Sequence, residues 1–438
     1  MKKSIYFLMI ATTMLISFAS CNNDENVDTG GGSIVSNGVA TTAKITLTQS
    51  QPVTYAPTGT EQADPNEKNI NTAILLIFDA KQSFEQAVSL DIDVYASKTI
   101  TTTTGTHYFY AIVNETAAIT DIVSTYKKGA ISLNDVKKDV IDIAAIDELT
   151  TDDDFLMTSV GTPISKILIS ASVGEAETEG NENNFKIEVG RAVAKVNVYM
   201  EPDANTDPSG GVLTAVKYKI HNNPKQMYIV PKFEGIQLWA PFYSAENVIT
   251  TSYFNNLEYL RTDKSEPSYA MENSNEIPKE GNATYISVKG VYEPKVVYNR
   301  NEVISTPAAD KTFYRIWSAE DNSWNEKFFN ENPYPLIDQL VESGDIVVKY
   351  TEGVCYYRLY LADNEESTVI AKHTVKRNTY FKVTITSVSG VGGSAEGGGN
   401  EPTVPTDPKP ENPLASETNI HATIDVMPWS VIEQSGGI

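Results

Sequence analysis

The chain has 438 residues, 41% of them hydrophobic, which is enough to build two apolar cores, and its formal net charge is −23. So acidic a field excludes nucleic acid as a partner and offers anionic lipid headgroups no attraction. Only two cysteines are present, Cys21 and Cys355, so a disulfide framework is excluded once the first is otherwise engaged.

The chain opens with Lys2 and Lys3, an apolar run from Ile5 to Phe18, and the small residues Ala19 and Ser20 before Cys21, the three parts of a secretory leader over residues 1–20. The run is too short to span a bilayer, and Asn22–Asn26 is polar rather than a stop-transfer pattern. Leu15–Cys21 resembles a bacterial lipobox with Phe18 in place of the usual leucine; cleavage between Ser20 and Cys21 then leaves a cysteine to be acylated. The alternative is an ordinary leader with an incidental cysteine. Each acyl CH₂ buried contributes about 0.8 kcal/mol, so a lipid on Cys21 would hold the protein at a membrane until it is cut.

Residues 21–40 are polar and Gly-rich and read as a flexible tether. A first β domain is expected over 41–200. Ala43, Ile45 and Leu47 alternate with Lys44, Thr46 and Thr48, the period of a strand with one buried face. A long loop with Pro52, Pro57 and Pro65 follows, then strands at Asn71–Asp79, Asp91–Tyr95 and His107–Val113. Ala117–Tyr126 and Leu133–Leu149 carry three- and four-residue apolar spacing and are expected to be helical or mixed. Strands resume at Ile164–Ala171, Phe185–Val189 and Ala192–Tyr199.

Glu201–Gly211, with two prolines and two glycines, marks a boundary to a second β domain over 201–390. Its strands are expected at Leu213–Ile220, Met227–Ile229, Ala283–Val288, Asp345–Tyr350, Cys355–Leu361, Val369–Ile370 and Tyr380–Val388, with a short helix within Lys327–Leu340. Residues 391–413 are Gly-rich and then Pro-rich, an extended linker reaching up to about 3.1 Å per residue. Beyond it, in 414–438, Ile420, Ala422, Ile424 and Val426 alternate with polar residues, and Pro428, Trp429 and Val431 continue the apolar strand. Strand-like segments far outnumber helical ones, which predicts an all-β fold of antiparallel sandwiches with short helices in loops; no fixed-period repeat is visible.

Catalytic and metal-binding signatures are missing. His107, His221, His373 and His421 stand far apart with no acid or cysteine at a metal-ligand spacing, and the Gly392–Gly399 cluster opens onto prolines where a phosphate site needs a helix. No cofactor is implied and no enzyme activity is expected. Asp152–Asp154 and Glu175–Glu182 offer carboxylates for Ca²⁺ but equally suit solvated loops. Tyr356, Tyr357 and Tyr360, with Trp239, Trp317 and Trp324, could stack on sugar, although their strand context favours packing. Cys355 sits in a strand-like run and reads as a small buried hydrophobe.

Several segments in this order carry a family resemblance: the lipobox at Cys21, His107–Asn114, Phe155–Thr158, Val189–Val196, Asn222–Lys225, Arg377–Ile385 and the Ile424–Trp429 ending. Together the chain resembles the fimbrillins of Bacteroides and Porphyromonas, the short-fimbria shaft type of type V pili. The resemblance implies two tandem transthyretin-like β-sandwiches, export as an outer-membrane lipoprotein, and proteolytic removal of the lipidated segment with the first strand. It further implies that the C-terminal strand of another copy fills the vacated groove to make a head-to-tail polymer at the cell surface, with anchor and tip subunits as further partners. The resemblance places a basic processing residue in the loop after the first strand, where this chain has Tyr55; Lys44 and Lys68 are the nearest basic candidates.

Physical chemistry leads independently to the same mechanism, because a sheet short of one strand exposes a hydrogen-bonding edge and an apolar groove that an alternating strand can fill. Head-to-tail use of two different surfaces makes a fibre where it does not close. The C-terminal strand can serve as that donor or as a permanent edge strand of its own domain. A glycan-binding surface lipoprotein shares the same leader and β modules and is the competing expectation; it predicts exposed aromatic residues on loops.

Overall fold

The computed structural model describes residues 38–49, 61–62, 64–91, 97–234, 237–239, 248–249, 254–256, 258–259, 267–334, 336, 340, 342–396, 413–414 and 419–430. Strands dominate, as expected. In the N-terminal half the principal ones are β1 (Ala40–Gln49), β2 (Thr72–Phe78), β3 (Phe84–Asp91), β4 (Ser97–Thr103), β5 (Gly105–Val113), β6 (Met157–Ser159), β7 (Ile164–Leu168) and β8 (Asn184–Arg191). In the C-terminal half they are β9 (Ala194–Met200), β10 (Val212–His221), β11 (Ser268–Ala270), β12 (Tyr285–Glu293), β13 (Phe313–Ser318), β14 (Ile346–Tyr350), β15 (Val354–Tyr360), β16 (Thr379–Val388) and β17 (Ile420–Ser430).

The first sheet runs β3-β2-β5-β6-β8-β1-β4, with β7 paired to β5. Its central strand β2 is apolar from Ala73 to Phe78 and all six residues are buried, the pattern of a strand covered on both faces. Asn114, at a positive φ just after β5, accepts from the Asn71 and Thr72 amides and donates to the Asn69 and Phe155 carbonyls, tying three chain segments at the end of the sheet. The second sheet has β9 at its centre, with β16 on one side and β11 on the other, and β17 beyond β16. A third, β10-β12-β15, faces it across the second core.

Both halves share one topological device. The first strand of each, β1 and β9, lies parallel to a long strand from late in its half, β8 and β16, and antiparallel to a second neighbour, β4 and β11. The expected antiparallel character therefore holds for most pairs but not for these. The same arrangement in both halves is a repeat of topology without a repeat of sequence.

Several expectations change in detail. The expected boundary lay after Met200, but β9 pairs with β16 and its Ala194, Val196, Val198 and Met200 enter the second core, while Ala192 and Val193 enter the first. Along this segment the change from first to second core falls between Val193 and Ala194, although Met227, Ile229, Val230, Met271, Tyr380 and Trp429 of the later chain return to the first. Leu133–Leu149 is not one helix: a capped turn at Leu133–Val136 gives way to a strand at Val140–Asp142, which pairs with Gln226–Tyr228 of the C-terminal half. Burial of Ile141 and Ile143 at a period of two overrides the helical spacing. Val369 and Ile370 open a helical turn, Val369–Lys372, capped by the Thr368 side chain, rather than a strand. Within Lys327–Leu340, Phe329 bridges to Tyr298 and Tyr314 and Leu340 is helical, while 335 and 337–339 lie outside the described residues. Strand β3 was not anticipated, and of the expected Asp91–Tyr95 strand, 92–96 lie outside the described residues.

The linker begins later than its composition indicates. Val391, Gly392 and Gly393 are buried, Tyr356 and Gly393 exchange backbone hydrogen bonds at 2.8 and 2.9 Å, and the Tyr350 hydroxyl donates to the Gly392 carbonyl. A Cβ on Gly392 would stand 2.2 Å from the Tyr356 carbonyl oxygen, so glycine is required for this close approach. Glu396 is held by Lys219 and by His221 at 2.7 Å, and although burial opposes it, the hydrogen bonds from these two side chains hold its carboxyl down at about 2.

Candidate functional site

The first strand lies inside its sheet. β1 pairs with β8 from Lys44↔Asn184 to Gln49↔Val189 and with β4 from Ala40↔Thr103 to Thr46↔Ser97. Thr41, Ala43, Ile45 and Leu47 point into the core and are buried, while Thr42, Lys44, Thr46 and Thr48 are half-buried on the other face. Full burial of an Ile or Leu side chain contributes roughly 1.5–3 kcal/mol, so a slot left by β1 would be apolar as well as lined on both sides by unpaired backbone. Its polar end is at Thr41, whose hydroxyl donates to the Ile169 carbonyl at 2.6 Å and accepts from the Ala171 amide at 2.9 Å beside the buried Asn183.

The last strand has an edge position. β17 pairs with β16 antiparallel from Val388↔Ile420 to Thr379↔Pro428, and on its other side, among the described residues, it meets only the two-residue strand Glu61–Gln62. Ile420 is buried, and Ala422, Ile424 and Val426 are half-buried against the second core, while His421, Thr423 and Asp425 are exposed. In this chain the strand therefore folds onto its own C-terminal half. Pro428 is half-buried at the end of the ladder, and Val431 lies outside the described residues.

Trp429 is the largest fully buried side chain and belongs to the first core, not the second. It stacks on Tyr269 with centroids 6.0 Å apart and meets Phe155 edge-on at 6.1 Å. The Arg191 guanidinium lies 4.4 Å from its ring centroid, a cation–π contact in a desolvated setting. This junction of the two halves is charged throughout. Arg191 donates to the Glu67 carbonyl at 2.8 Å, to the Trp429 carbonyl at 3.3 Å and to the Gln49 side-chain carbonyl at 3.3 Å. One buried arginine thus holds the end of β1, the loop before β2 and the end of β17, and burial pulls its pKa down to about 10 despite the neighbouring Glu67.

Lys195, equally buried, sits 3.0 Å from Glu67 and 3.0 Å from Asp64, and Tyr269 donates to Glu67 at 2.8 Å. Burial and that carboxylate push the Tyr269 hydroxyl far above its ordinary range. A second buried pair, Arg377 with Glu272, reaches across to the Thr158 hydroxyl at 3.0 Å and the Tyr228 carbonyl at 2.9 Å. Residues 189–196 and 377–385 carried part of the family resemblance, and the junction explains their chemistry: charge is needed there at positions that alternation alone would fill with apolar side chains. Neither Glu67 nor Gln49 bears a comparable local signal.

The processing candidates are not brought together. Lys44 lies mid-strand in β1, and Lys68 is exposed just after the 3₁₀ turn Pro65–Glu67, its carbonyl accepting from the Gln49 amide. Ser20, Cys21 and Tyr55 lie outside the described residues. Asp152, Asp153 and Asp154 accept from the Asn66, Asn69 and Asn71 amides at 2.7–3.1 Å, and no group of three His, Cys, Asp or Glu among the described residues is arranged to hold a metal ion. His107 is buried 2.7 Å from Glu85. Cys355 is fully buried, with its thiol pushed up to about 11 by burial. Tyr357 is buried, its hydroxyl donating to the Gly390 carbonyl, and Trp317 and Trp324 pack edge-on across a hairpin at 5.4 Å; the Trp239 side chain lies outside the described residues.

Comparison with known proteins bears on the segment just described. Residues 348–435 match the family model of the major fimbrial subunit protein type IV, fimbrillin, C-terminal. That range takes in β15, β16 and β17. A search of curated proteins found no match. Among solved structures, one from Parabacteroides distasonis described as a candidate cell adhesion protein superposes with a TM-score of 0.51 at 14% identity, covering 91% of this chain and 98% of that one. A fimbrilin from Porphyromonas gingivalis gives a TM-score of 0.47 at 14% identity over 92% of this chain and 100% of that one. The tip fimbrial protein Mfa3 of the same organism gives 0.43 at 14% identity over 89% and 99%. The resemblance to fimbrillins and the all-β fold read from the sequence are both borne out.

Proposed function

We propose that this chain, whose residues 348–435 match the fimbrillin C-terminal model, is a structural subunit of a cell-surface fimbrium that supports adhesion. It is exported as a lipoprotein on Cys21, loses its first strand to a protease, and polymerises when the C-terminal strand of another copy fills the vacated slot. Anchor and tip subunits would end the polymer. The observation that carries this reading is the contrast between the two strands. β1 is interior, so its loss opens a slot with a ladder on each side; β17 lies beside the edge, with the two-residue strand Glu61–Gln62 as its outer neighbour among the described residues, so its departure frees no more than that short strand from the sheet.

Burial favours the loop between β1 and Glu61 as the place of the cut. A cut at Lys44 would leave Ile45 and Leu47 plugging the slot. A cut after Lys68 would carry off Asp64 and Glu67 and strand Lys195 in the interior, a loss of several kcal/mol. Cleavage within 50–60, which contains Tyr55, keeps both acids. N-terminal sequencing of the surface form should accordingly read a start between residues 51 and 61; a start at or before Ile45, or beyond Lys68, contradicts this placement.

Truncating the chain at Pro428 would remove Trp429 from the first core, so the donor role is better tested by locking the strand in place. Lys382 and Asp425 are cross-strand partners, and such pairs stand about 4.5–5.5 Å apart at Cα, within disulfide range. Lys382→Cys with Asp425→Cys should give, when oxidised, a folded chain that makes no polymer, with reduction restoring it. Normal filaments from the oxidised form would refute strand exchange.

A further inference from the structure

The in-facing residues of β17 repeat those of β1 in the same chain direction. Ala43, Ile45 and Leu47 find their counterparts in Ala422, Ile424 and Val426, small then branched then branched, at one fixed offset. Polar residues fill the intervening positions, Lys44 and Thr46 against Thr423 and Asp425. Resting on the strand-exchange reading above, we infer that β17 of a second copy enters the slot parallel to β8, with Ala422, Ile424 and Val426 at the Ala43, Ile45 and Leu47 positions and Asp425 across from Lys186.

Volume and charge select this register independently. Thr46 is the cross-strand partner of Lys186, so Asp425 in its place meets an exposed lysine. Sliding the incoming strand two residues toward the end of β1 puts Asp425 across from Glu188, a like-charge pair, and forces Ile420 into the Ala43 position beside Ile100. Sliding it two residues the other way puts Asp425 across from Asn184 and moves Pro428, which has no amide hydrogen, from the last pair of the ladder, the Gln49 position, inward to the Leu47 position. A one-residue slip turns the apolar face outward. In its own domain Asp425 is likewise across from a lysine, Lys382, so the strand carries one charge suited to both seats.

The match ends at Ile420. At the Thr41 position an isoleucine would strip the Ala171 amide and Asn183 of the hydroxyl they share, so the seated segment runs from Ala422 onward. At the other end the register brings Trp429 one step beyond Gln49, level with Gly190 and adjacent to Arg191, whose own aromatic partner has left with its own strand.

Crosslinking tests the register. Neighbouring strands stand about 4.8 Å apart, within disulfide range. In polymer sheared from cells making the full chain, Lys186→Cys with Asp425→Cys should give an oxidised ladder on a non-reducing gel, many times stronger than Asn184→Cys or Glu188→Cys with Asp425→Cys. Thr46→Cys with Lys186→Cys in the unprocessed chain should close within one molecule and calibrates the geometry. A ladder strongest through Asn184 or Glu188, or polymer that ladders through none of the three, overturns the register while leaving strand exchange standing; wild-type cells without polymer overturn both. As a second measurement, Lys186→Glu should lower polymer yield severalfold and Asp425→Lys added to it should restore the yield. Unchanged yield with Lys186→Glu overturns the charge pairing.

Discussion

Trp429→Ala should destabilise the folded chain by about 3–5 kcal/mol, the range for emptying a large aromatic site in a core. The side chain is fully buried and closes the first core from the last strand of the second, so the void would open at the junction, bordered by Phe155, Tyr269 and Arg191. Loss of the ring also removes the face against which the buried guanidinium rests. Chemical denaturation at equilibrium measures this as a fall in midpoint with an unchanged slope. Trp429→Phe should cost far less, because the indole N–H meets no acceptor among the described residues and its removal relieves a buried donor. A loss below about 1 kcal/mol for the alanine variant would mean that Trp429 is not seated as described.

Glu67→Ala should cost a comparable amount, about 3–5 kcal/mol, through a different cause. It strands the Lys195 ammonium in the interior, since Asp64 is largely exposed and cannot replace a carboxylate that straddles the same nitrogen. Arg191 is spared in part, because its bond is to the Glu67 backbone carbonyl, which alanine retains. Burying a matched ion pair gives little net stability over apolar side chains of similar size, so Glu67→Leu with Lys195→Met should recover most of the loss. Unfolding midpoints of the two single variants and the pair give the coupling directly. Additive losses would show that the two groups act separately.

Alternation made β1 and β17 legible, and unbroken or nearly unbroken apolar runs did so for β2 and β5, because each of these faces stays in one environment for its whole length. Strand β3 was not, since its burial alternates but its residue types do not: Gln86 stands on the inner face with Phe84, Val88 and Leu90, and the apolar Ala87 is exposed on the outer one. Val140–Asp142 misled for a different reason: its partner, Gln226–Tyr228, is over 80 residues away, and tertiary pairing decides a segment that local spacing leaves open. The assignment of β9 to the second sheet could not be read either, because Ala194, Val196 and Val198 alternate equally well in any sheet and only the partner strand determines which. Lys195 within that strand was visible as a charge on a buried segment, but Glu67 and Gln49 sit in loop and strand-end positions where polar residues are ordinary.

Cys355 bears on how long a fimbrial joint would last. Its thiol is sealed in the second core, and once the segment containing Cys21 is removed no other cysteine remains in the chain. Copies of the processed subunit therefore have no sulfur with which to weld their contacts. On the strand-exchange proposal, the lifetime of each joint would be set instead by an activation barrier, because a seated strand would depart only by unzipping both of its ladders and drawing its apolar residues through water. Durability on the cell surface then rests on slow escape, and a filament of this kind persists through kinetics where many secreted assemblies rely on covalent bonds.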